Sequence, residues 1–456
     1  MSARMSGRHV ENGSIAPVLF SFALPVLLLQ LLQELFNVTD CMVVGHFGGD
    51  YALAATGVAG LVLSILINFF IGFSSGISGV ASRLFGERSY RALQRTVNTL
   101  FRLVVAAGMG LSILVIIAAD ALLSLMRCPV EVMPQAALYL RICACGLIAQ
   151  MIYNVGAAFL QSIGNTRAPL FFYLASVLCN LLLDALFVIG FKMGIRGAAV
   201  ATLISQWLLA LLISAYMMRL DGAYALAPLG EGLPLRELGR DMAIGIPSGM
   251  QALFMSLSSF LIQASINRFG PDAIAGMTLF AKLEGVIYLP TFAYGIAITS
   301  FVGQNLGAGR IDRIRQTVRL SLRIMAAAII PLSLALSLAS PMLLKLFTKD
   351  AAILFNAREA VVFTLPFYVV YGLNQVFLGT IKGLGDTTWP MICTLVCYSL
   401  FRVLWCRLLI PVYPTMRVVY SSYVVSFFLM LAMLAPVYRR RIRAAALARP
   451  GGAGDE

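Results

Sequence analysis

The chain has 456 residues, of which 60% are hydrophobic and 12% are charged, and its mean hydropathy is +0.89. Soluble domains carry about 25% charged residues, because a folded soluble chain must cover its surface with polar groups. These values exclude a soluble globular protein, a disordered chain, a coiled coil and a secreted disulfide scaffold. They indicate an integral membrane protein with many spans.

The net charge of +14 comes from 34 Lys and Arg residues against 20 Asp and Glu. Basic residues collect in the cytoplasmic loops of membrane proteins, where they also meet anionic lipid. We therefore expect a lipid environment and no nucleic-acid partner. The eight cysteines form no paired CxxC motif, and the histidines are His9 and His46. This composition predicts neither structural zinc nor a disulfide framework nor a histidine metal site.

Twelve apolar stretches are long enough to cross a bilayer, which takes about 20 helical residues. The first follows a polar segment with Arg4 and Arg8 and extends from Ile15 to Val44. That is too long for the apolar part of a cleavable signal, so we expect a retained first span. The predicted spans are 15–43, 51–73, 97–119, 134–160, 168–190, 197–218, 241–266, 273–300, 317–339, 358–381, 389–411 and 418–437.

Twelve spans place both chain ends on one side of the membrane. The loops and ends on that side hold 20 Lys and Arg residues, Lys382 among them, and the loops on the other side hold 8. Because Lys and Arg are enriched in cytoplasmic loops, we predict that both termini are cytoplasmic. The expected location is the cell membrane, inner or plasma.

The chain also repeats itself. Residues 164–169 (GNTRAP) match residues 385–390 (GDTTWP) at an offset of 221, and Pro25 matches Pro247 at an offset of 222. Because each copy has six spans, both halves cross the membrane in the same direction, as in parallel transporter repeats. We predict an all-α membrane protein of two six-helix lobes related by a pseudo-twofold axis, with a cavity between them. The predicted bounds are 1–14 for a cytoplasmic N-terminal segment, 15–218 for the N-lobe, 219–240 for a cytoplasmic linker, 241–437 for the C-lobe and 438–456 for a basic cytoplasmic tail.

Carboxylates at bilayer depth are costly, at least ~2.5 kcal/mol each, and often mark functional sites. Span one has a polar face at spacings of three and four, formed by Gln30, Gln33, Glu34, Asn37 and Asp40. This face must look toward protein or water. Glu34 could contribute to a cavity or only to helix packing.

A candidate cation site combines three spans. Asp40 lies in the outer half of span one, Asn180 and Asp184 lie one turn apart on span five, and Thr202 lies early in span six. Two carboxylates with neutral oxygens could hold Na⁺, or the carboxylates could share a proton. The alternative is a polar cluster that fixes helix packing.

The repeat provides an internal comparison for this site. Asp40 corresponds to Ile262 and Asp184 to Trp405, so the second lobe has lost both carboxylates. Packing symmetry would require them in both lobes. The difference favours a cation site in the first lobe.

Other polar residues within the spans have open roles. Glu284 in span eight could form an internal network with Lys282 or serve substrate or proton binding. Gln251, and Asn374 with Gln375, could line the second-lobe side of the cavity. Pro25 permits a kink in span one, either a moving hinge or a static bend.

Several motifs resemble the multidrug and toxic compound extrusion (MATE) family across about residues 16–438. They are Leu24-Pro25, residues 36–45 (FNVTDCMVVG), residues 301–309 (FVGQNLGAG) and the two Gly-x-Thr-x-x-Pro loops. The resemblance implies twelve helices in two lobes and export of organic, often cationic, amphipathic compounds, drugs included, in exchange for Na⁺ or H⁺. It assigns the coupling cation to Asp40, Asn180, Asp184 and Thr202.

The resemblance also places Asn154 in the polar cavity, with Phe36 where a Tyr is often found. Asn165 replaces a common Asp, a change that we associate with the cytoplasmic gate. It further implies a small-molecule substrate, no cofactor and function as a monomer. An alternative within the superfamily is a lipid-linked oligosaccharide or peptidoglycan-precursor flippase, which would need cavity cations such as Lys282, Arg402 or Arg407. No nucleophile–base set, metal motif or phosphate loop indicates an enzyme.

Overall fold

The computed structural model describes residues 14–47, 49, 51–126, 128–220 and 223–447. These ranges are helical and contain no strand. Most of the predicted N-terminal segment and the end of the basic tail lie outside them. Within them, eleven helices are long and apolar enough to cross a membrane, and a bent helix pair makes twelve. The predicted all-α, twelve-span architecture is confirmed.

The first six spans occupy the first half of the chain. They are Ile15–Phe47 for span one, Ala52–Gly86 for span two, Tyr90–Leu125 for span three, Met133–Ala144 with Leu147–Ser162 for span four, Arg167–Asp184 with the π-helix Ala185–Gly190 for span five, and Ile195–Met218 for span six.

The second six spans follow a linker. They are Leu235–Ile266 for span seven, Pro271–Gly307 for span eight, Ile311–Lys345 for span nine, Ala351–Thr364 with Tyr368–Gly383 for span ten, Thr388–Thr394 with the π-helix Leu395–Leu400 and Phe401–Leu409 for span eleven, and Met416–Leu447 for span twelve. With twelve spans, residues 14 and 447 lie on one side, here called the terminal face. The other side is the opposite face.

Span two shows why the length of an apolar stretch underestimates the length of some helices. The apolar stretch ends near residue 73, but the helix continues to Gly86. Its last turns contain Ser74, Ser78 and Ser82, which are buried against protein. Since these residues do not face lipid, they need not be apolar.

Spans four and ten break at corresponding positions. Span four bends by 46° after Ala144, and there a side chain on Gly146 would overlap Gln206 of span six. Span ten breaks 221 residues later in a 3₁₀ turn that contains Pro366. Proline lacks the backbone N–H that a continuous helix would use. The two lobes therefore interrupt the same span at corresponding positions, for different local reasons.

The two Gly-x-Thr-x-x-Pro loops form helix boundaries. Gly164 and Gly385 adopt φ values of +89° and +86°, which favour glycine. Asn165 Oδ1 then accepts the N–H of Ala168 at 3.2 Å, and Asp386 Oδ1 accepts that of Thr388 at 3.1 Å. The repeated motif thus ends one span and caps the next, at the terminal face of each lobe.

The lobes meet symmetrically through spans two and eight. Gly86 lies against the main chain of Gln304, and Gly307 lies against the main chain of Arg83. An offset of 221 residues converts the first contact into the second. The two helices therefore cross at the pseudo-twofold axis near the terminal face.

Spans one and seven also pack across the lobes. Leu19 and Phe22 of span one belong to the same core cluster as span eight. In the second lobe, Gly245 and Gly249 of span seven allow the rings of Phe73 and Phe69 on span two to approach. These contacts lie in the terminal half of both helices and hold the lobes together there.

The described part of the linker is fastened to span three. Asn98 Oδ1 accepts the N–H of Ala227 at 2.8 Å, and its Nδ2 donates to the carbonyl of Glu231 at 3.1 Å. Thr99 Oγ1 accepts the N–H of Leu233 at 2.7 Å. The linker is therefore bound to the first lobe.

Candidate substrate cavity and cation site

A cavity of about 380 Å³ lies between the lobes. Ligand pockets typically measure ~300–1,000 Å³, so this space suits a drug-sized molecule. Its wall combines apolar surface with amides, hydroxyls and tyrosines. The polar lining comprises Gln30, Gln33, Glu34, Asn68, Ser74, Ser75, Ser78, Tyr153, Asn154, Gln161, Ser248, Gln251, Ser256, Tyr288, Thr299, Gln375, Lys382 and Tyr398.

Spans four and ten contribute equivalent faces to this wall. Asn154 corresponds to Gln375, and Gln161 corresponds to Lys382, at an offset of 221. The positions therefore match across the pseudo-twofold axis, while one pair differs in charge.

Several buried polar atoms in the wall have no hydrogen-bond partner in the part of the chain that the structure describes. Examples are Ser74 Oγ, Asn154 Nδ2, Ser248 Oγ and Gln251 Oε1. The Gln251 amide is held in place because its Nε2 donates to Thr394 Oγ1 at 2.9 Å. Since buried polar groups are normally paired, these atoms are available to a bound molecule.

Four of the residues predicted for the cavity lie in its wall: Gln33, Glu34, Asn154 and Gln251. Phe36 instead packs edge-on against Tyr173, with ring centroids 6.4 Å apart, and Asn37 is exposed. Asn374 is fully buried inside the second lobe, where it donates to the Phe427 carbonyl at 2.9 Å. The neighbouring Gln375 faces the cavity in its place.

The structure gives Glu284 a partner other than Lys282. Tyr368 donates a hydrogen bond to the Glu284 carboxylate, whereas Lys282 is exposed. Glu284 thus belongs to the interior of the second lobe. A direct Lys282–Glu284 network is not formed.

Arg402 is enclosed by aromatic rings of the second lobe. Its guanidinium lies 4.6 Å from the ring centroid of Tyr398 and 4.3 Å from that of Tyr423. Its Nε donates to Ser426 Oγ at 2.8 Å. Arg407 is exposed. These cations therefore do not supply the basic cavity lining that a pyrophosphate flippase would use.

The four residues predicted for cation coupling share one property. Each has a buried polar atom without a hydrogen-bond partner among the described residues. The atoms are Asp40 Oδ1, Asn180 Nδ2, Asp184 Oδ1 and Thr202 Oγ1. Carboxylate, amide and hydroxyl oxygens are the donors that hard cations prefer. Three of the four atoms are such oxygens, whereas Asn180 Nδ2 is an N–H donor. The oxygens of Asp40, Asp184 and Thr202 therefore suit Na⁺ or a proton.

Local packing holds this set in place. Ser176 Oγ donates to the Ser205 carbonyl at 2.8 Å, which joins span five to span six one turn from Asn180 and beside Thr202. A π-helix begins directly after Asp184, which is 1% exposed. Such segments are frequent at functional sites.

Spans one and five, which carry Asp40 and Asp184, pack against each other, so negative charges on both carboxylates would repel. Tyr139 lies beside Asp40 and is buried. Our sequence analysis missed Tyr139, although its position in the opposite-face half of span four matches the depth of Asp40. Its counterpart in the second lobe, Ala360, has no polar group. The lobes therefore differ in polar side chains at this further position as well as at the predicted cation site.

The MatE family model matches residues 25–186 and 247–408. The chain belongs to this family. The resemblance to the MATE family inferred from the motifs is confirmed, and the second match begins 222 residues after the first, as the repeat predicts. Members of the MATE family are transport proteins. The chain is accordingly a multi-pass membrane protein.

Individual relatives agree with this assignment. The chain is 25% identical over 400 residues to the probable multidrug resistance protein YpnP of Bacillus subtilis, covering 87% of this chain and 89% of that one. It is 27% identical to the FAD transporter of Shewanella oneidensis, covering 77% and 78%. An outward-facing multidrug resistance MATE transporter of the MOP superfamily has the same fold, with a TM-score of 0.88 over 97% of this chain and 99% of that one, at 22% identity.

Proposed function

We propose that the chain is a secondary active antiporter that exports organic compounds, drugs included, in exchange for Na⁺ or H⁺ by alternating access. Relatives named as multidrug resistance proteins support export of compounds and do not favour the flippase alternative. The observation that carries the coupling proposal is the set of three unpartnered oxygens at Asp40, Asp184 and Thr202, with Asn180 one turn before Asp184. Asp40, Asn180 and Asp184 correspond to Ile262, Phe401 and Trp405 in the second lobe, which have no side-chain oxygen.

Span one connects the proposed cation site to the cavity. Asp40 belongs to the site, while Gln33 and Glu34 on the same helix line the cavity. Binding of Na⁺ or a proton reduces the repulsion between Asp40 and Asp184. Span one then approaches span five, bends at Pro25 and narrows the cavity. Each ligand shifts this equilibrium only through its different affinity for the two states, and the coupling is reciprocal.

We place both chain ends in the cytoplasm and the protein in the cell membrane. The terminal face, where spans two and eight meet at Gly86 and Gly307, is then the cytoplasmic side and is closed in this structure. A cavity closed on that side is ready to release substrate outward. Because the two lobes of one chain form the cavity, a monomer suffices for transport.

The test uses purified protein in proteoliposomes loaded with a cationic fluorescent dye. Separate Na⁺ and H⁺ gradients identify the coupling ion. Asp40→Asn and Asp184→Asn are expected to abolish gradient-driven efflux while insertion is retained. The matched control is Asp120→Asn, since Asp120 forms an exposed surface pair with Arg141 at 2.6 Å. Full efflux by both site variants would refute the coupling site. If the parent protein itself shows no efflux under either gradient, the export function is refuted.

A further inference from the structure

Two ionisable side chains, those of Glu34 and Lys382, line the cavity at different depths. Glu34 lies well inside span one, whereas Lys382 lies in the last turn of span ten, at the terminal-face end of the cavity. Sequence analysis counted Lys382 among the loop cations. The helix instead continues through it and brings it into the cavity wall.

No described acidic side chain forms an ion pair with Lys382. The nearest acidic residue along the chain, Asp386, already has other partners. It accepts backbone N–H groups at the start of span eleven and pairs with Arg441 at 2.5 Å. A cation inside a membrane protein is costly without a counter-charge. Lys382 therefore favours an anionic group from a bound molecule.

Other hydrogen-bond donors line the same cavity. Ser74 Oγ, Ser248 Oγ and Asn154 Nδ2 are unpartnered, and their side chains are 3%, 1% and 9% exposed. Each of these groups can donate to a carboxylate oxygen. The carbonyl oxygen of Lys382 also lies next to Gly79 of span two, which places this residue where the lobes meet.

The two positions related by the pseudo-twofold axis differ in charge. The counterpart of Lys382 is Gln161, which lines the same cavity from span four. The two positions share their place on the wall, so a neutral amide satisfies the fold there in one lobe. The positive charge in the other lobe thus serves a purpose other than the shared helix packing.

We propose that the terminal-face end of the cavity is an anion subsite in which Lys382 binds the carboxylate of a zwitterionic amphipathic substrate. Glu34, nearer the opposite face, then receives the cationic part of the same molecule. This inference rests on the proposed export function and narrows its substrate class from organic cations to molecules that also carry an anionic group.

The test compares two probes with the same ring system. One is a xanthene dye with a cationic ring and a free carboxylate, and the other is its methyl ester, which is cationic only. Affinities are measured by fluorescence polarisation with the purified parent protein, Lys382→Gln, Lys382→Arg and Gln161→Lys. Lys345→Gln, at an exposed lysine, is the control.

We expect the ratio of carboxylate-dye to ester-dye affinity to fall about tenfold in Lys382→Gln, which corresponds to ~1.4 kcal/mol. Lys382→Arg should keep the parental ratio, because the charge remains, and Gln161→Lys should raise it. A merely structural role for Lys382 would change both affinities together. An unchanged ratio in Lys382→Gln, or failure of the parent to bind the carboxylate dye, would overturn the subsite. Gradient-driven efflux of either dye by the parent tests the export function separately, because that result does not depend on the ratio of the two affinities.

Discussion

Gly86 of span two lies directly against the main chain of Gln304 in span eight, and no side-chain atom fits between them. The symmetry-related contact joins Gly307 to Arg83. Hydrogen is the only substituent that both glycines can carry while the helices remain this close. The terminal-face closure of the lobes therefore depends on two glycines at equivalent positions of the repeat.

Gly86→Ala is expected to destabilise the state in which the terminal face is closed. An added methyl group would overlap the Gln304 main chain, and such overpacking costs about 1–3 kcal/mol. Spin labels placed at the terminal-face ends of spans two and eight should show longer distances, and dye efflux should fall.

The control for this prediction is Gly110→Ala in span three, where nothing lies within 4 Å of an added Cβ. It should leave both the distances and the efflux unchanged. Parental distances and efflux in Gly86→Ala would contradict the role of this contact.

Asn98→Ala should destabilise the protein by weakening the attachment of the linker to span three. The Asn98 side chain is 1% exposed and bonds both Ala227 N and Glu231 O. Unpaired buried polar groups cost about 1–3 kcal/mol each. Thermal unfolding in detergent should therefore shift clearly to lower temperature.

Arg95→Ala is the matched comparison, since Arg95 pairs with Glu231 of the same linker, but with both side chains exposed. Exposed pairs contribute about 0–1 kcal/mol, so the shift should be small. An equal or larger effect of Arg95→Ala would show that charge, rather than the buried amide, attaches the linker.

Pro25→Ala should bind substrate but export it slowly, with the affinity for the coupling ion little changed. Span one is a continuous helix through Pro25, and the proline removes one backbone hydrogen bond that alanine would restore. A straighter, stiffer helix transmits the change at Asp40 less readily to the cavity. Substrate affinity and efflux rate are measured on the same preparation, with and without saturating coupling ion.

Pro247→Ala, at the equivalent position of span seven, separates a hinge from general helix stiffness, because the second lobe lacks the carboxylate pair. It should slow export less than Pro25→Ala. Parental export by Pro25→Ala would contradict the hinge, and substrate affinity that is independent of the coupling ion would contradict the coupling.

Cysteine labelling in intact cells should place the terminal face in the cytoplasm. In a background without the eight native cysteines, Glu237→Cys lies on the terminal face and Lys349→Cys on the opposite face, and both positions are exposed. A membrane-impermeant maleimide should label residue 349 and leave residue 237 unlabelled until the cells are permeabilised. The reverse pattern would invert the topology and, with it, the direction of export.

The carboxylate pair shows what could be inferred from sequence about the site. Asp40 and Asp184 are detectable because a charge within an apolar span needs a compensating environment. Tyr139 escaped notice because a tyrosine in a membrane helix is common at many depths and carries no charge. Its relevance depends on which face of span four meets span one, and residues far away in the chain determine that.

Lys382 and Glu284 show where sequence reasoning failed for a physical reason. The end of an apolar stretch indicates where a helix leaves the lipid, but not where the helix itself ends. For this reason the sequence places Lys382 in a loop. Sequence proximity suggested Lys282 as the partner of Glu284, yet the hydrogen bond comes from Tyr368 of span ten. Neighbours two positions apart on a helix point in different directions, and tertiary packing chooses the partner.

The sequence by itself determined the membrane class, the twelve spans, the parallel repeat and the asymmetry of the carboxylates. These features follow from bilayer thickness and from comparison of one half of the chain with the other, and neither requires contacts. Only the tertiary structure decided which polar atoms remain unpartnered, where the lobes touch and which side chains face the cavity. Each of these depends on the rotation and approach of helices that lie far apart in sequence, and glycines such as Gly86 permit that approach without leaving an apolar signal.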